Sequence, residues 1–225
     1  MTPILILHGW GSCAKNWQRV KNGLERSGYT VYLPDLPGFG EGAALERAWV
    51  VDDYINWLDE YCEKNNLSRF FLIGHSFGGS LAVGLSLKYP EKVKKMFLIS
   101  PALIREKTPK KAALKKTAKV FSFLPVSFKR IVYRHIIRSD YPAEPGPLRE
   151  TYLKIIGHDL SDELPKVSVK SILFWGEKDK ITPHRQGRLI KELISGAELK
   201  KLPGVYHNPH SENPELLVKT ILENL

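Results

Sequence analysis

A chain of 225 residues, 43% of them hydrophobic, is long enough for one α/β domain with a sizeable core and an insertion. It holds no apolar run approaching the roughly 18 residues of a membrane-spanning helix, Met1-Thr2-Pro3 lacks the basic start of a signal peptide, and Cys13 and Cys62 stand in neither a disulfide nor a zinc pattern. The expectation is therefore a cytosolic protein with two reduced thiols and no metal. A net charge of +10 fits plain solubility, and it also fits an acidic partner, an anionic substrate or a membrane surface.

The chain opens in a strand, Ile4 to Leu7, and turns at His8-Gly9-Trp10-Gly11. A helix carrying Trp17, Val20 and Leu24 follows, Gly28 ends it, and Thr30 to Leu33 form a second strand. The glycines of Pro34-Asp35-Leu36-Pro37-Gly38-Phe39-Gly40 superficially suggest a dinucleotide loop. Two prolines crowd that turn, however, and no acidic residue follows at the expected spacing. From Trp49 to Tyr61, Val50, Tyr54, Trp57, Leu58 and Tyr61 recur at helical intervals, so these aromatics read as core.

Phe70-Phe71-Leu72-Ile73 suits a strand buried on both faces, and Leu81, Ala82 and Leu85 mark a helix running to Lys88. Between them lies Gly74-His75-Ser76-Phe77-Gly78-Gly79. Glycines on either side let backbone and helix approach closely, which would hold the Ser76 hydroxyl above the sheet and aim the Phe77 N–H at the space an oxyanion would fill. A serine at such a turn can equally be a helix cap. The strand before it and the helix after it are the context that a nucleophile elbow, G-x-S-x-G, requires.

Lys95 to Ser100 read as the next strand, which Pro101 breaks; from there to about Lys166 the alternation of strand and helix stops. Helical segments appear near Lys110 to Phe123, Ser127 to Arg138 and Pro147 to Leu160. The first half of this stretch is basic: Arg105, Lys107, Lys110, Lys111, Lys115, Lys116, Lys119, Lys129, Arg130, Arg134 and Arg138 face Glu106 and Asp140. It contains no DNA- or RNA-reading motif, so nucleic acid is not expected. Ile172 to Gly176 resume the strand pattern, with Glu177 and Asp179 just beyond. Glu198 to Leu202 form the last strand, His207 and His210 follow it, and a helix from Pro214 to Leu225 closes the chain.

On these motifs the chain resembles the α/β-hydrolase family. The resemblance implies an α/β fold, a mostly parallel sheet flanked by helices, with a helical cap at 101–166 inserted after the strand ending near Ser100 into a core of 1–100 and 167–225. Family members usually carry an N-terminal hairpin that is missing here, which leaves an edge strand another subunit could cover. By the same resemblance Asp35 to Gly40 form a structural loop at the pocket rim, and the catalytic residues are Ser76, Asp179 and His207. Asp179 fits G-x-x-D-x-x-x-P better than Glu177 does, and His207 fits G-x-x-H better than His210. The backbone N–H groups of Trp10 and Phe77 would form an oxyanion hole, with His8 and Gly9 beside the substrate.

That machinery needs no cofactor and points to hydrolysis of a carboxylic ester by a serine enzyme. Thioester hydrolysis, C–C cleavage and acyl transfer use nearly the same residues. His8 to Gly11 and Asp35 to Gly40 are also similar to the corresponding stretches of pimeloyl-carrier-protein methyl esterases, which would bring an acidic carrier to the basic cap. A non-catalytic receptor on the same scaffold is the alternative from another class. Haloalkane dehalogenases and epoxide hydrolases carry aspartate where this chain has Ser76.

Overall fold

A computed structural model describes residues 1–105 and 145–225. The first two expected cap helices, and the basic side chains on them, lie outside the described residues. Six strands form one sheet: β1 (Ile4–Leu7), β2 (Val31–Tyr32), β3 (Phe70–His75), β4 (Val93–Ile99), β5 (Ser171–Gly176) and β6 (Glu198–Leu202). Their order is β2-β1-β3-β4-β5-β6 and every pairing is parallel.

An all-parallel sheet needs cover on both faces, and the strand sequences meet that need by being apolar throughout. Every residue of β1, β3 and β5 is buried. Alternation then divides the side chains between two layers. Leu5, Leu7, Leu72, Met96, Leu98 and Leu173 pack under α2 (Val51–Lys64), α3 (Phe77–Lys88) and α5 (His184–Leu193). Ile4, Ile6, Phe71, Ile73, Phe97, Ile172 and Phe174 pack against α1 (Gln18–Arg26) and α7 (Pro214–Leu222). Between α3 and β5 the described chain also includes α4 (Pro147–Ile155), and the short α6 (Pro209–Glu212) precedes α7.

The expected strand from Thr30 contracts to the two residues of β2, at the sheet edge, with Val31 buried and Tyr32 half-buried. So short an edge offers little ladder for another chain to extend. The helix expected from Trp49 begins at Val51. The Trp49 N–H is taken by Thr151 Oγ1 at 2.8 Å, and the Asp53 carboxylate accepts the Val50 N–H at 2.8 Å. The helix expected to reach Leu160 stops at Ile155, after which Leu160 donates its N–H to the Leu103 carbonyl at 2.9 Å and pins the returning chain to the core. Cys13 and Cys62 are both free thiols, and burial pushes that of Cys62 up to about 12.

Candidate active site

Ser76 is the hinge between β3 and α3, and its backbone sits at φ +50°, ψ −112°, a strained conformation for a residue with a side chain. The turn is held from several sides. The Ser76 N–H donates to the Ile99 carbonyl of β4 at 3.1 Å, and the Ser76 carbonyl accepts from Gly79, Ser80 and Ala102. Close approach explains the glycine two residues on, since a Cβ on Gly78 would lie 2.2 Å from the Leu7 carbonyl oxygen. Phe77 is the first residue of α3, so its N–H has no acceptor within the helix and stands at the positive end of the helix dipole.

The loop after β1 faces this turn, and a buried histidine shapes it. His8 Nε2 accepts the Leu36 N–H at 3.0 Å, so the ring proton must be on Nδ1, which donates to the Gly9 carbonyl at 2.9 Å. Burial lowers the His8 pKa and keeps the ring neutral. Because C=O and N–H point opposite ways across a trans peptide, fixing the Gly9 carbonyl on His8 turns the Trp10 N–H to the other side. Gly9 and Trp10 line the cleft that holds Ser76. His8 does not: its fully buried ring lies behind the loop and acts through it. Asp35 joins the same scaffold, accepting the N–H groups of Ala14 and Glu41.

The acid and the histidine come from the loops after β5 and β6. These loops touch, because a Cβ on Gly176 would sit 1.9 Å from the Tyr206 carbonyl oxygen, and Lys178 donates its N–H to the Val205 carbonyl at 2.9 Å. Across that contact His207 Nδ1 meets Asp179 Oδ2 at 2.8 Å, both side chains being almost fully buried. The second carboxylate oxygen accepts the N–H groups of Ile181 at 2.8 Å and Thr182 at 3.0 Å, while the Thr182 hydroxyl donates to Oδ2 at 2.8 Å. Burial alone would raise the Asp179 pKa; the hydrogen bond and charge of His207 and the Thr182 hydroxyl outweigh it, and the carboxyl ends below its ordinary value.

Glu177, the rival acid, is exposed and accepts the Gly204 N–H at 3.0 Å, so it props the histidine loop from outside. His210, the rival histidine, stacks flat on Trp17 with ring centres 4.3 Å apart. Burial, then the neighbouring His207 and His8, push its pKa down to about 4. Two contributors escaped the sequence reading. Thr182 was signalled by its position three residues after Asp179, a spacing at which a hydroxyl reaches back to a carboxylate. His75 stood in the sequence only as the residue before Ser76 in the elbow, yet its Nε2 donates to the His207 carbonyl at 2.8 Å and ties the elbow to the histidine loop. Burial, then His210 and His207, hold its pKa well below the ordinary value. Among the described residues no His, Cys, Asp and Glu side chains converge as a metal site would require.

Ser76, His207, Gly9 and Trp10 thus line one cleft of about 570 Å³ at the carboxyl ends of the strands. Tyr152 of α4 packs on Trp10, with ring centres 5.3 Å apart. The chain is 26% identical over 233 residues to Lipase 3 of Moraxella sp., an alignment covering 93% of this chain and 73% of that protein. It is 26% identical over 250 residues to the pimeloyl-[acyl-carrier protein] methyl ester esterase of Chromobacterium violaceum, covering 99% of this chain and 93% of that one. The structure of a thermophilic esterase from Thermogutta terrifontis shares the fold with a TM-score of 0.79 at 21% identity, over 99% of this chain and 89% of that one. The model of the alpha/beta hydrolase fold family matches residues 2–145, more than half of the sequence, and the chain belongs to that family.

Proposed function

We propose that the protein hydrolyses a carboxylic ester through an acyl-enzyme on Ser76. The observation that carries this reading is the 2.8 Å contact between His207 Nδ1 and Asp179, made in the wall of the cleft where the elbow presents Ser76. With the Nδ1 proton committed to the carboxylate, Nε2 is the free base. It takes the Ser76 proton as the hydroxyl oxygen attacks the ester carbonyl carbon, and the N–H groups of Trp10 and Phe77 receive the oxyanion. His207 then protonates the leaving alkoxide, and the carbon–oxygen bond breaks. Water, deprotonated by the same nitrogen, attacks the acyl-enzyme; the acid leaves and Ser76 recovers its proton.

The test is covalent. A fluorophosphonate probe should label the wild-type protein and fail on Ser76→Ala. A folded wild type that stays unlabelled would favour a binding module over an enzyme. Acyl specificity is to be read from 4-nitrophenyl esters of graded length run beside acyl-carrier and acyl-CoA substrates.

A second reading narrows the substrate. Likeness to a carrier-protein methyl ester esterase, together with the basic sequence from Arg105 to Arg138, favours an ester borne on an acidic carrier that docks on a cap formed by 101–166. Reversing Lys115, Lys116 and Lys119 to Glu should then weaken use of the carrier substrate in a salt-sensitive way; equal activity on carrier-borne and free esters would discard it. Cytosolic placement belongs to this reading too. Among the described residues no helix is long and apolar enough to cross a membrane.

A further inference from the structure

The cleft does not end at the catalytic pair. Beyond His207 it is walled by Asn208, His210 and Ser211 of the histidine loop, by Lys15 and Asn16 of the single helical turn Ala14–Trp17, and by Arg19 at the start of α1. No aspartate or glutamate is among the described residues lining it. Arg19 is paired one-to-one with Glu215 at 2.7 Å, on the exposed rim. Lys15 has no ion-pair partner among the described residues, and His210 brings a buried Nδ1 with no hydrogen-bond partner. This end of the cleft therefore presents one uncompensated positive charge, that of Lys15, beside the side-chain amides of Asn16 and Asn208.

Which half of an ester lies there follows from the proton transfer. The leaving oxygen takes its proton from His207, so the alcohol half lies along the wall that His207 shares with Asn208 and Ser211. Resting on the serine-hydrolase reading above, we infer that Lys15, supported by Arg19, Asn16 and Asn208, forms a subsite for an anionic group, a carboxylate or a phosphate, on the alcohol half of the substrate. The acyl half points away from it.

Four esters separate the possibilities. The butyryl ester of 4-hydroxybenzamide is neutral. The butyryl esters of 4-hydroxybenzoate and of 4-hydroxyphenyl phosphate place a carboxylate or a phosphate on the leaving group. The hemisuccinate of 4-hydroxybenzamide places the charge on the acyl half. The wild type should favour at least one anionic-alcohol ester over the neutral one in kcat/KM, and the larger of the two preferences identifies the anion.

Lys15→Met should lower that preference about fivefold, the upper range for an exposed ion pair, and Lys15→Glu further. Raising NaCl from 50 to 500 mM should compress it in the wild type, a reading independent of any variant. Lys191→Met, outside the cleft, should keep the wild-type preference. A preference unmoved by both Lys15→Glu and salt overturns the subsite, as does a Lys15 effect confined to the hemisuccinate. Turnover of the esters without discrimination removes this inference and leaves the serine hydrolase standing. Failure of all four esters together with no fluorophosphonate labelling removes both.

Discussion

The buried His210 should make the fold acid-sensitive by an amount that can be worked out. Its imidazole is 4% exposed, and desolvation, then His207 and His8, lower its pKa from 6.5 to about 4. The unfolded chain thus takes up a proton near pH 6.5 that the folded chain refuses until about pH 4. The folded state binds fewer protons across that window, so stability falls as pH drops through it and is fully present above pH 6.5. A shift of one unit is about 1.4 kcal/mol, and integrating down to the folded pKa gives about 3 kcal/mol lost by pH 4 from this one ring. Against a total of about 5–15 kcal/mol that is a large share.

Phenylalanine keeps the ring that stacks 4.3 Å from Trp17 and removes the titrating nitrogens. Urea unfolding of the wild type and His210→Phe between pH 7.5 and pH 4 isolates the effect as a change in their stability difference, whatever the substitution costs at neutral pH. The variant should gain about 3 kcal/mol on the wild type over that range. Parallel stability profiles with equal m values would refute the reasoning, because they would mean that the ring protonates in the folded state as readily as in water.

Asp179→Asn should cut kcat about ten-thousandfold by leaving His207 in the wrong tautomer, while Glu177→Gln, which loses a prop outside the site, should cost far less; steady-state kinetics on one ester compares them, and the reverse order would move the acid to Glu177. His8→Phe removes the donor that fixes the Gly9 carbonyl, leaves the Leu36 N–H without its acceptor, and should lower kcat about a hundredfold with little change in KM, as expected when one oxyanion donor is misdirected. Gly176→Ala forces a methyl group into the Tyr206 carbonyl, so it should part the two loops. Unfolding cost and lost activity should rise together, and a stable, fully active variant would show that the loops need not touch. Thr182→Val keeps the shape but removes the hydroxyl bonded to Asp179, and should lower kcat about tenfold without loss of the fluorophosphonate label, read by single-turnover labelling.

The interior of the sheet was legible because a parallel strand covered on both faces must be apolar at every position, and Ile4 to Leu7, Phe70 to Ile73 and Ile172 to Trp175 are. One edge was less so: β2 has two residues where the pattern offers four, while β6, Glu198 to Leu202, keeps its expected bounds although only Leu202 is fully buried. Helix starts failed where a distant partner decided them: the Trp49 N–H is capped by a threonine 102 positions away, which no local pattern encodes. The candidate site divides the same way. Ser76, Asp179 and His207 stand out because each follows a strand in a recognisable spacing. No spacing encodes which way the His8 ring turns, toward the Gly9 carbonyl and the Leu36 N–H, and Lys15 passed unnoticed because its meaning lies in the wall it shares with Asn208 and Ser211.

The acid sensitivity and the precision of the site have one origin. Three loops leave three different strands, and what fixes them to one another is a set of buried, neutral imidazoles: His8 on the Gly9 carbonyl and the Leu36 N–H, His75 on the His207 carbonyl, His210 stacked on Trp17. A neutral imidazole can donate from one nitrogen and accept at the other, which a lysine or a carboxylate cannot do, and it can be buried at lower cost than a charge. His75 and His210 lie with ring centres 4.9 Å apart, so protonating either would place a cation in a desolvated wall beside His207. The arrangement that holds the loop after β1, the elbow and the histidine loop in register is therefore stable only while its imidazoles stay neutral. Activity should accordingly fall on incubation near pH 4, where the Asp179 carboxyl, its pKa lowered, is not the group being protonated first, and His210→Phe should keep more activity than the wild type under the same exposure.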